Sequence, residues 1–109
     1  MTNYNDFIIE NDVLTKYTGK DTEITIPDGI VNIGDDAFRG CNTLEGVILP
    51  NSVNYIGFQA FSYCENLVGV EIKGVLSDIG DYVFYECPAE LVISYNGGSY
   101  NKESIEDVK

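Results

Sequence analysis

Residues 44–64 read Leu44-Glu45-Gly46-Val47-Ile48-Leu49-Pro50-Asn51-Ser52-Val53-Asn54-Tyr55-Ile56-Gly57-Phe58-Gln59-Ala60-Phe61-Ser62-Tyr63-Cys64. The rest of the chain consists of copies of this stretch or covers for its copies. Shifted by about 23 residues, the chain falls on itself without insertion or deletion. Ile24, Val47, Val70 and Ile93 share one column, and Ile26, Leu49, Ile72 and Tyr95 another. Ile33, Ile56 and Ile79 align, each followed by glycine (Gly34, Gly57, Gly80). Phe38, Phe61 and Phe84 align, as do Cys41, Cys64 and Cys87.

Each copy reads as one coil of a solenoid. Val47-Ile48-Leu49 alternates as a short strand does. Pro50, like Pro27 one coil earlier, ends the strand because proline has no N–H to give a ladder. Val53 and Ile56 are expected to point inward and Gly57 to turn the chain. Ala60-Phe61 is expected on about one helical turn, closed by Cys64. A single coil cannot bury its own apolar edge, whereas stacked coils share one core, with strands about 4.8 Å apart.

The pattern Leu-x-x-Val-x-Leu-Pro-x-x-Val-x-x-Ile-Gly-x-x-Ala-Phe-x-x-Cys in 44–64 resembles the BspA-like (Treponema-type) leucine-rich repeat, over roughly residues 5–100. Lys73 stands in place of the proline in the third coil, Val83 in place of the alanine, and the fourth coil stops after its strand. The resemblance implies an α/β leucine-rich-repeat solenoid of about three and a half 23-residue coils, with short strands and short helical turns. It also implies a bacterial or protist surface or secreted protein that adheres to host or neighbouring-cell molecules.

The organisation expected is a single domain over 1–109. Residues 1–5 are polar and expected to be loose. Residues 6–21 form an N-terminal β-hairpin cap. Phe7-Ile8-Ile9-Glu10 and Val13-Leu14-Thr15-Lys16-Tyr17 flank a two-residue Asn11-Asp12 turn, which pairs Ile9 with Leu14. Coils occupy 22–43, 44–66 and 67–89. Residues 90–109 hold a partial repeat, a turn at Asn96-Gly97-Gly98-Ser99, and a short helix or frayed tail. With a cap before and a truncated coil after, the chain reads as a complete small domain.

Eighteen acidic and six basic residues give a formal charge of −12. So few cations make no basic face, which argues against nucleic acid and anionic membranes as partners. No apolar run is long enough to span a membrane, and no signal peptide is visible. An extracellular or cell-surface location follows from the family resemblance alone, and the residues themselves leave the cytoplasm open. The three cysteines share one column, so they are expected to run parallel as buried free thiols.

Histidine is absent, which removes Ser-His and Cys-His pairs. There is no Cys-x-x-Cys spacing, no EF-hand spacing and no phosphate-binding glycine loop, and no cofactor or metal is expected. Asp35-Asp36 and Asp81 suit caps at helical starts, where coil two carries Phe58 instead. The chain is therefore read as a non-enzyme that binds through its surface. The outward strand ladder is Thr25, Ile48, Glu71, Ser94. Several large residues fall where sister coils are polar: Tyr55 (Asn32, Asp78), Phe58 (Asp35, Asp81), Tyr63 (Gly40, Glu86), Tyr82 (Asp36, Gln59) and Tyr85 (Arg39, Ser62). Ile48, Tyr55, Phe58, Tyr63, Tyr82 and Tyr85 form the candidate interaction surface. Its expected partner is a protein, such as a host surface or matrix protein, with a glycan or a structural, self-associating role as alternatives. A monomer is the favoured state.

Overall fold

A computed structural model describes residues 4–108. Of the segment expected to be loose, residues 1–3 lie outside the described residues, as does Lys109 of the tail. Tyr4–Asp6 form a short 3-10 turn. Strands β1 (Phe7–Glu10) and β2 (Val13–Tyr17) make the hairpin. The coils supply β3 (Glu23–Thr25), β4 (Asn32–Ile33), β5 (Gly46–Leu49), β6 (Tyr55–Ile56), β7 (Gly69–Ile72) and β8 (Asp78–Ile79). β9 (Val92–Tyr95) and β10 (Gly98–Tyr100) follow, then a 3-10 turn, Ser104–Asp107.

The solenoid has two sheets, ordered β1-β2-β4-β6-β8 and β10-β9-β7-β5-β3. Coil strands pair in parallel at the register of the sequence repeat: Ile24 with Val47, Val47 with Val70, Val70 with Ile93. In the other sheet Ile33 pairs with Ile56 and Ile56 with Ile79. The side chains of these columns are buried and form one core. A ring ladder runs through it, Phe7–Tyr17–Phe38–Phe61–Phe84, with centroids 5.2, 5.3, 4.7 and 5.5 Å apart.

The third side of each coil differs from the helical turn expected. No α-helix is present among the described residues. Asp36, Phe38 and Gly40 N–H groups donate to the carbonyls of Phe58, Ala60 and Ser62 at 3.0, 2.7 and 2.8 Å. Gln59, Phe61 and Tyr63 donate likewise to Asp81, Val83 and Tyr85 at 3.1, 2.9 and 2.7 Å. The residues between them close tight turns, Ala37 to Gly34, Arg39 to Asp36 and Cys41 to Phe38. Left-handed residues make this alternation possible: Asp36, Gln59 and Tyr82 (φ 59, 54 and 58°), then Gly40, Tyr63 and Glu86 (φ 73, 60 and 61°). An α-helix keeps its N–H groups for itself and is about 10 Å wide, so helices would splay coils whose strands sit about 4.8 Å apart.

Two smaller expectations also change. Gly57 and Gly80 do not have left-handed φ. A Cβ at Gly57 would lie 2.8 Å from the Asp35 backbone nitrogen, and one at Gly80 2.7 Å from that of Phe58. These glycines permit close approach of successive coils and are not there to turn the chain. Asp35 does not cap its own coil, because its Oδ1 accepts the Phe58 N–H of the next coil at 2.9 Å. Phe58 therefore has a capped backbone despite lacking a carboxylate.

The caps are staggered. β1 and β2 pair antiparallel, and β2 extends the first sheet on β4. Ile9 pairs with Leu14 as expected, but a register shift at Ile8/Ile9 leaves both isoleucines exposed. At the other end β10, unforeseen in the sequence, pairs antiparallel with β9 around Asn96-Gly97. Both turn residues have positive φ (48 and 82°), the requirement of a tight primed hairpin turn. Tyr100 rests on Tyr95, and the Tyr95 hydroxyl accepts the Leu76 N–H at 2.9 Å. Ile105 from the last 3-10 turn enters the core.

The thiols run parallel and point at carbonyls of the preceding coil. Cys64 Sγ lies 3.1 Å from Phe38 O and Cys87 Sγ 3.2 Å from Phe61 O. Cys64 and Cys87 are buried, whereas Cys41 is only half-buried, which corrects the expectation of three buried thiols. Burial pushes the Cys64 thiol from 9.0 up to about 12 and Cys87 up to about 11. One thiol of the three is expected to react with Ellman's reagent in native protein at pH 8, and all of them in denaturant. Unfolded thiols ionise near 9.0 and folded ones near 11 to 12, so the folded chain holds more protons between those values. This contribution to stability is whole below pH 9.0 and is lost as pH rises through 11 to 12. The urea midpoint is expected to fall over that window.

Candidate interaction surface

The stacked turns of coils two and three bring four of the six candidate residues together. Coil two contributes Phe58 and Tyr63, and coil three Tyr82 and Tyr85. Phe58 meets Tyr82 edge to face at 6.2 Å and 84°. Tyr82 meets Tyr85 at 5.7 Å and 76°, and Tyr85 meets Tyr63 at 5.6 Å and 85°. The result is a continuous strip, Phe58–Tyr82–Tyr85–Tyr63, in the edge-to-face geometry that aromatic quadrupoles favour. All four rings are exposed, Tyr82 most of them at 55 %. Two of these contacts are diagonal, Phe58 to Tyr82 and Tyr63 to Tyr85, each joining adjacent columns of neighbouring coils, and Tyr82–Tyr85 links them within coil three.

The strip ends on a cation. Arg39 Cζ sits 5.4 Å above the Tyr63 ring, a cation–π contact. Lys16, Asp36 and Gly40 line the same shallow recess. The two middle rings, Tyr82 and Tyr85, share a cleft with Glu86, Lys102, Glu103 and Glu106.

Tyr63 and Tyr82 both occupy left-handed backbone. That conformation costs about 1–2 kcal/mol for a residue with a Cβ. At the Tyr63 position coil one uses Gly40, and at the Tyr82 position it uses Asp36. Two bulky rings therefore sit where the backbone prefers glycine or a small polar residue, and both project into one exposed strip. The left-handed conformation itself recurs in every coil, at Gln59 and Glu86 as well, so what distinguishes coils two and three is that rings occupy it.

The remaining candidates lie elsewhere. Tyr55 is half-buried on β6, between Asn32 of β4 and Asp78 of β8. Ile48, also half-buried, lies on β5 of the other sheet, paired with Glu71 of β7, in a trough that Gly46, Gly69, Glu23 and Glu45 also line. Exposed apolar residues that the aromatic comparison passed over are Val68, Val75 and Val92. They occupy rims and an outward strand position, which reading for aromatic departures could not find.

Among the described residues no group of three His, Cys, Asp or Glu side chains could hold a metal ion. Nor does any described helix have the length and apolarity to cross a membrane. The strip offers ring faces, ring edges and one guanidinium, which are means of binding.

A sequence model described as the BspA type leucine rich repeat region (6 copies) matches residues 8–106. Among solved structures, a leucine rich cell surface protein from Faecalibacterium prausnitzii A2-165 is similar at 32% identity and a TM-score of 0.70. That match covers 80% of this chain and 27% of the other. A leucine rich repeat protein of T. pallidum is similar at 25% identity and a TM-score of 0.60, over 88% of this chain and 64% of the other. The chain thus spans less than two thirds of either structure. No curated protein matches it.

Proposed function

The chain belongs to the BspA-type leucine-rich-repeat family, and we propose that it is the binding module of a surface or secreted adhesin that grips a protein partner through the Phe58–Tyr82–Tyr85–Tyr63 strip. Leucine-rich-repeat solenoids are protein-interaction modules and generally non-catalytic. The observation that carries this reading is the strip of four exposed rings in edge-to-face contact at positions where sister coils have polar residues or glycine. Rigid aromatic anchors with two side-chain torsions lose little entropy on binding and dominate interface energetics. The F. prausnitzii relative, described as a cell surface protein, supports the surface location. The acidic surface suits a soluble module meeting partners outside an anionic membrane.

The test is capture from extracellular-matrix and cell-surface extract at physiological salt, with wild type beside Phe58→Asp and Tyr63→Gly. Phe58→Asp restores the residue type of the sister coils, and Tyr63→Gly restores that of coil one. Relief of left-handed strain should leave Tyr63→Gly at least as stable as wild type, with a gain of about 1 kcal/mol. Loss of an anchor should weaken capture about 30-fold, the effect of roughly 2 kcal/mol at a hot spot. A partner held equally by all three proteins would remove the strip as the contact face. Capture abolished by deglycosylating the extract would transfer the site to a glycan ligand.

A further inference from the structure

Positive charge is scarce on this chain, with six basic residues against eighteen acidic ones. Two of the six, Lys16 and Arg39, line one shallow recess with Asp36, Gly40 and Tyr63. Three successive layers build it. Lys16 comes from β2 of the hairpin cap, Asp36, Arg39 and Gly40 from coil one, and Tyr63 from coil two. Two cations there stand against one carboxylate. Other recesses have the opposite balance. The Tyr82/Tyr85 cleft sets Glu86, Glu103 and Glu106 against Lys102. The described residues lining the Ile48 trough, and those lining a recess beside Cys87 and Pro88, include three glutamates each and no cation. Lys16 and Arg39 are both exposed, and among the described residues neither forms an ion pair. Lys16 Nζ lies 3.4 Å from the Asp36 backbone carbonyl, and the Arg39 guanidinium rests on the Tyr63 ring without a hydrogen bond to any described residue.

We propose that this recess receives a carboxylate of the protein partner, while apolar side chains beside that carboxylate lie along the aromatic strip. The proposal rests on the protein-binding reading above and specifies the charge that the partner presents. A guanidinium offers a planar fork of N–H donors that matches a carboxylate. Stacking on Tyr63 holds the Arg39 fork at the end of the strip and leaves its donors for a ligand. Lys16 adds a second positive charge from the layer beneath. Gly40 keeps the recess open, since a Cβ there would meet nothing within 4 Å, whereas the sister coils carry Tyr63 and Glu86 in that column. The partner segment carries one carboxylate and not an acidic run, because the glutamates of the Tyr82/Tyr85 cleft repel a second negative charge farther along the strip. A protein fits better than an acidic sugar. Arg39 covers one face of Tyr63, and the rings meet edge to face, so the strip presents ridges for side chains and little flat surface for a sugar ring.

The experiment uses the full 15N-labelled chain and linear peptides of about twelve residues selected against it from a phage-displayed library. Arg39 is the one arginine of the sequence, so its Nε–H signal is assigned without ambiguity. Recovered peptides should share one Asp or Glu and should shift that signal. Changing the shared residue to Asn or Gln should weaken binding to wild type about tenfold, the loss of a charge-assisted hydrogen bond. On Arg39→Gln the same change should cost almost nothing further, because the two groups act as a pair. Lys16→Gln should weaken binding about threefold and flatten its salt dependence. Phe58→Asp should weaken the same peptides while the carboxylate dependence stays. Peptides that need the carboxylate but ignore Phe58→Asp would keep the recess and remove the strip. Peptides that need Phe58 but carry no carboxylate would keep the strip and overturn the recess. The proposal is also overturned if no peptide is recovered or if bound peptide leaves the Arg39 signal in place. Acetate matching the peptides at equal concentration would reduce the recess to a simple anion site, and 3′-sialyllactose binding more tightly than any peptide would give the carboxylate to a glycan; either result overturns the proposal.

Discussion

Phe61→Ala should unfold the domain or bring it close to unfolding. The Phe61 ring is fully buried and stacks between Phe38 and Phe84 at 4.7 and 5.5 Å. Truncation removes its burial and leaves a cavity at the centre of the ring ladder, for about 3–5 kcal/mol. Whole small domains are stable by about 5–15 kcal/mol, so most of that margin goes. The neighbouring rings are fixed by their own coils, and each coil is tied to the next by backbone bonds on all three sides, so the gap cannot close by a local shift. Circular dichroism melts should show a fall of about 15 °C or more, at about 4–8 °C per kcal/mol for a domain of this size. Phe58→Ala, which alters an exposed ring in the same coil, should move the melting temperature by only a few degrees. Equal melting temperatures for wild type and Phe61→Ala would refute the assigned register.

Gly80→Ala is expected to destabilise almost as much, by about 3 kcal/mol. An added Cβ would stand 2.7 Å from Phe58 N, 2.8 Å from Gly57 C and 3.1 Å from Phe58 Cα. All three are backbone atoms of the preceding coil. A crowded side chain can rotate away, but a backbone held by the Gly80 N–H to Ile56 carbonyl bond at 2.7 Å has nowhere to go. Coil three would have to lift from coil two, weakening the hydrogen bonds on either side of the contact. Gly69→Ala is the control, since a Cβ there meets nothing within 4 Å. Its urea midpoint should stay near that of wild type, and that of Gly80→Ala should drop. A Gly80→Ala midpoint equal to the control's would show that successive coils are not packed this tightly.

Much of this architecture was legible in the residues. Val47, Ile56 and Phe61 recur with their column partners at one period, and a buried column must repeat because each coil covers only its neighbours. The hairpin at Asn11-Asp12 and the strand stops before Pro27 and Pro50 were readable because they are local chemistry. β10 does not follow from the repeat, whose fourth copy stops after its strand, although Asn96-Gly97 is a strong hairpin signal. The candidate surface was legible only as six scattered positions. Four of them meet, and two, Tyr55 and Ile48, lie on separate sheets.

By itself the sequence determined the coil count, the strand register, the phenylalanine and cysteine columns, and which aromatics depart from the repeat. These all follow from the period and from the identity of single residues. The tertiary structure alone decided that the third side is a row of left-handed turns, that Gly57 and Gly80 allow close stacking, and that four rings form one strip. Each of these depends on where one coil sits against the next. A 23-residue alignment compares like positions, whereas the strip is made by contacts between different columns of the repeat.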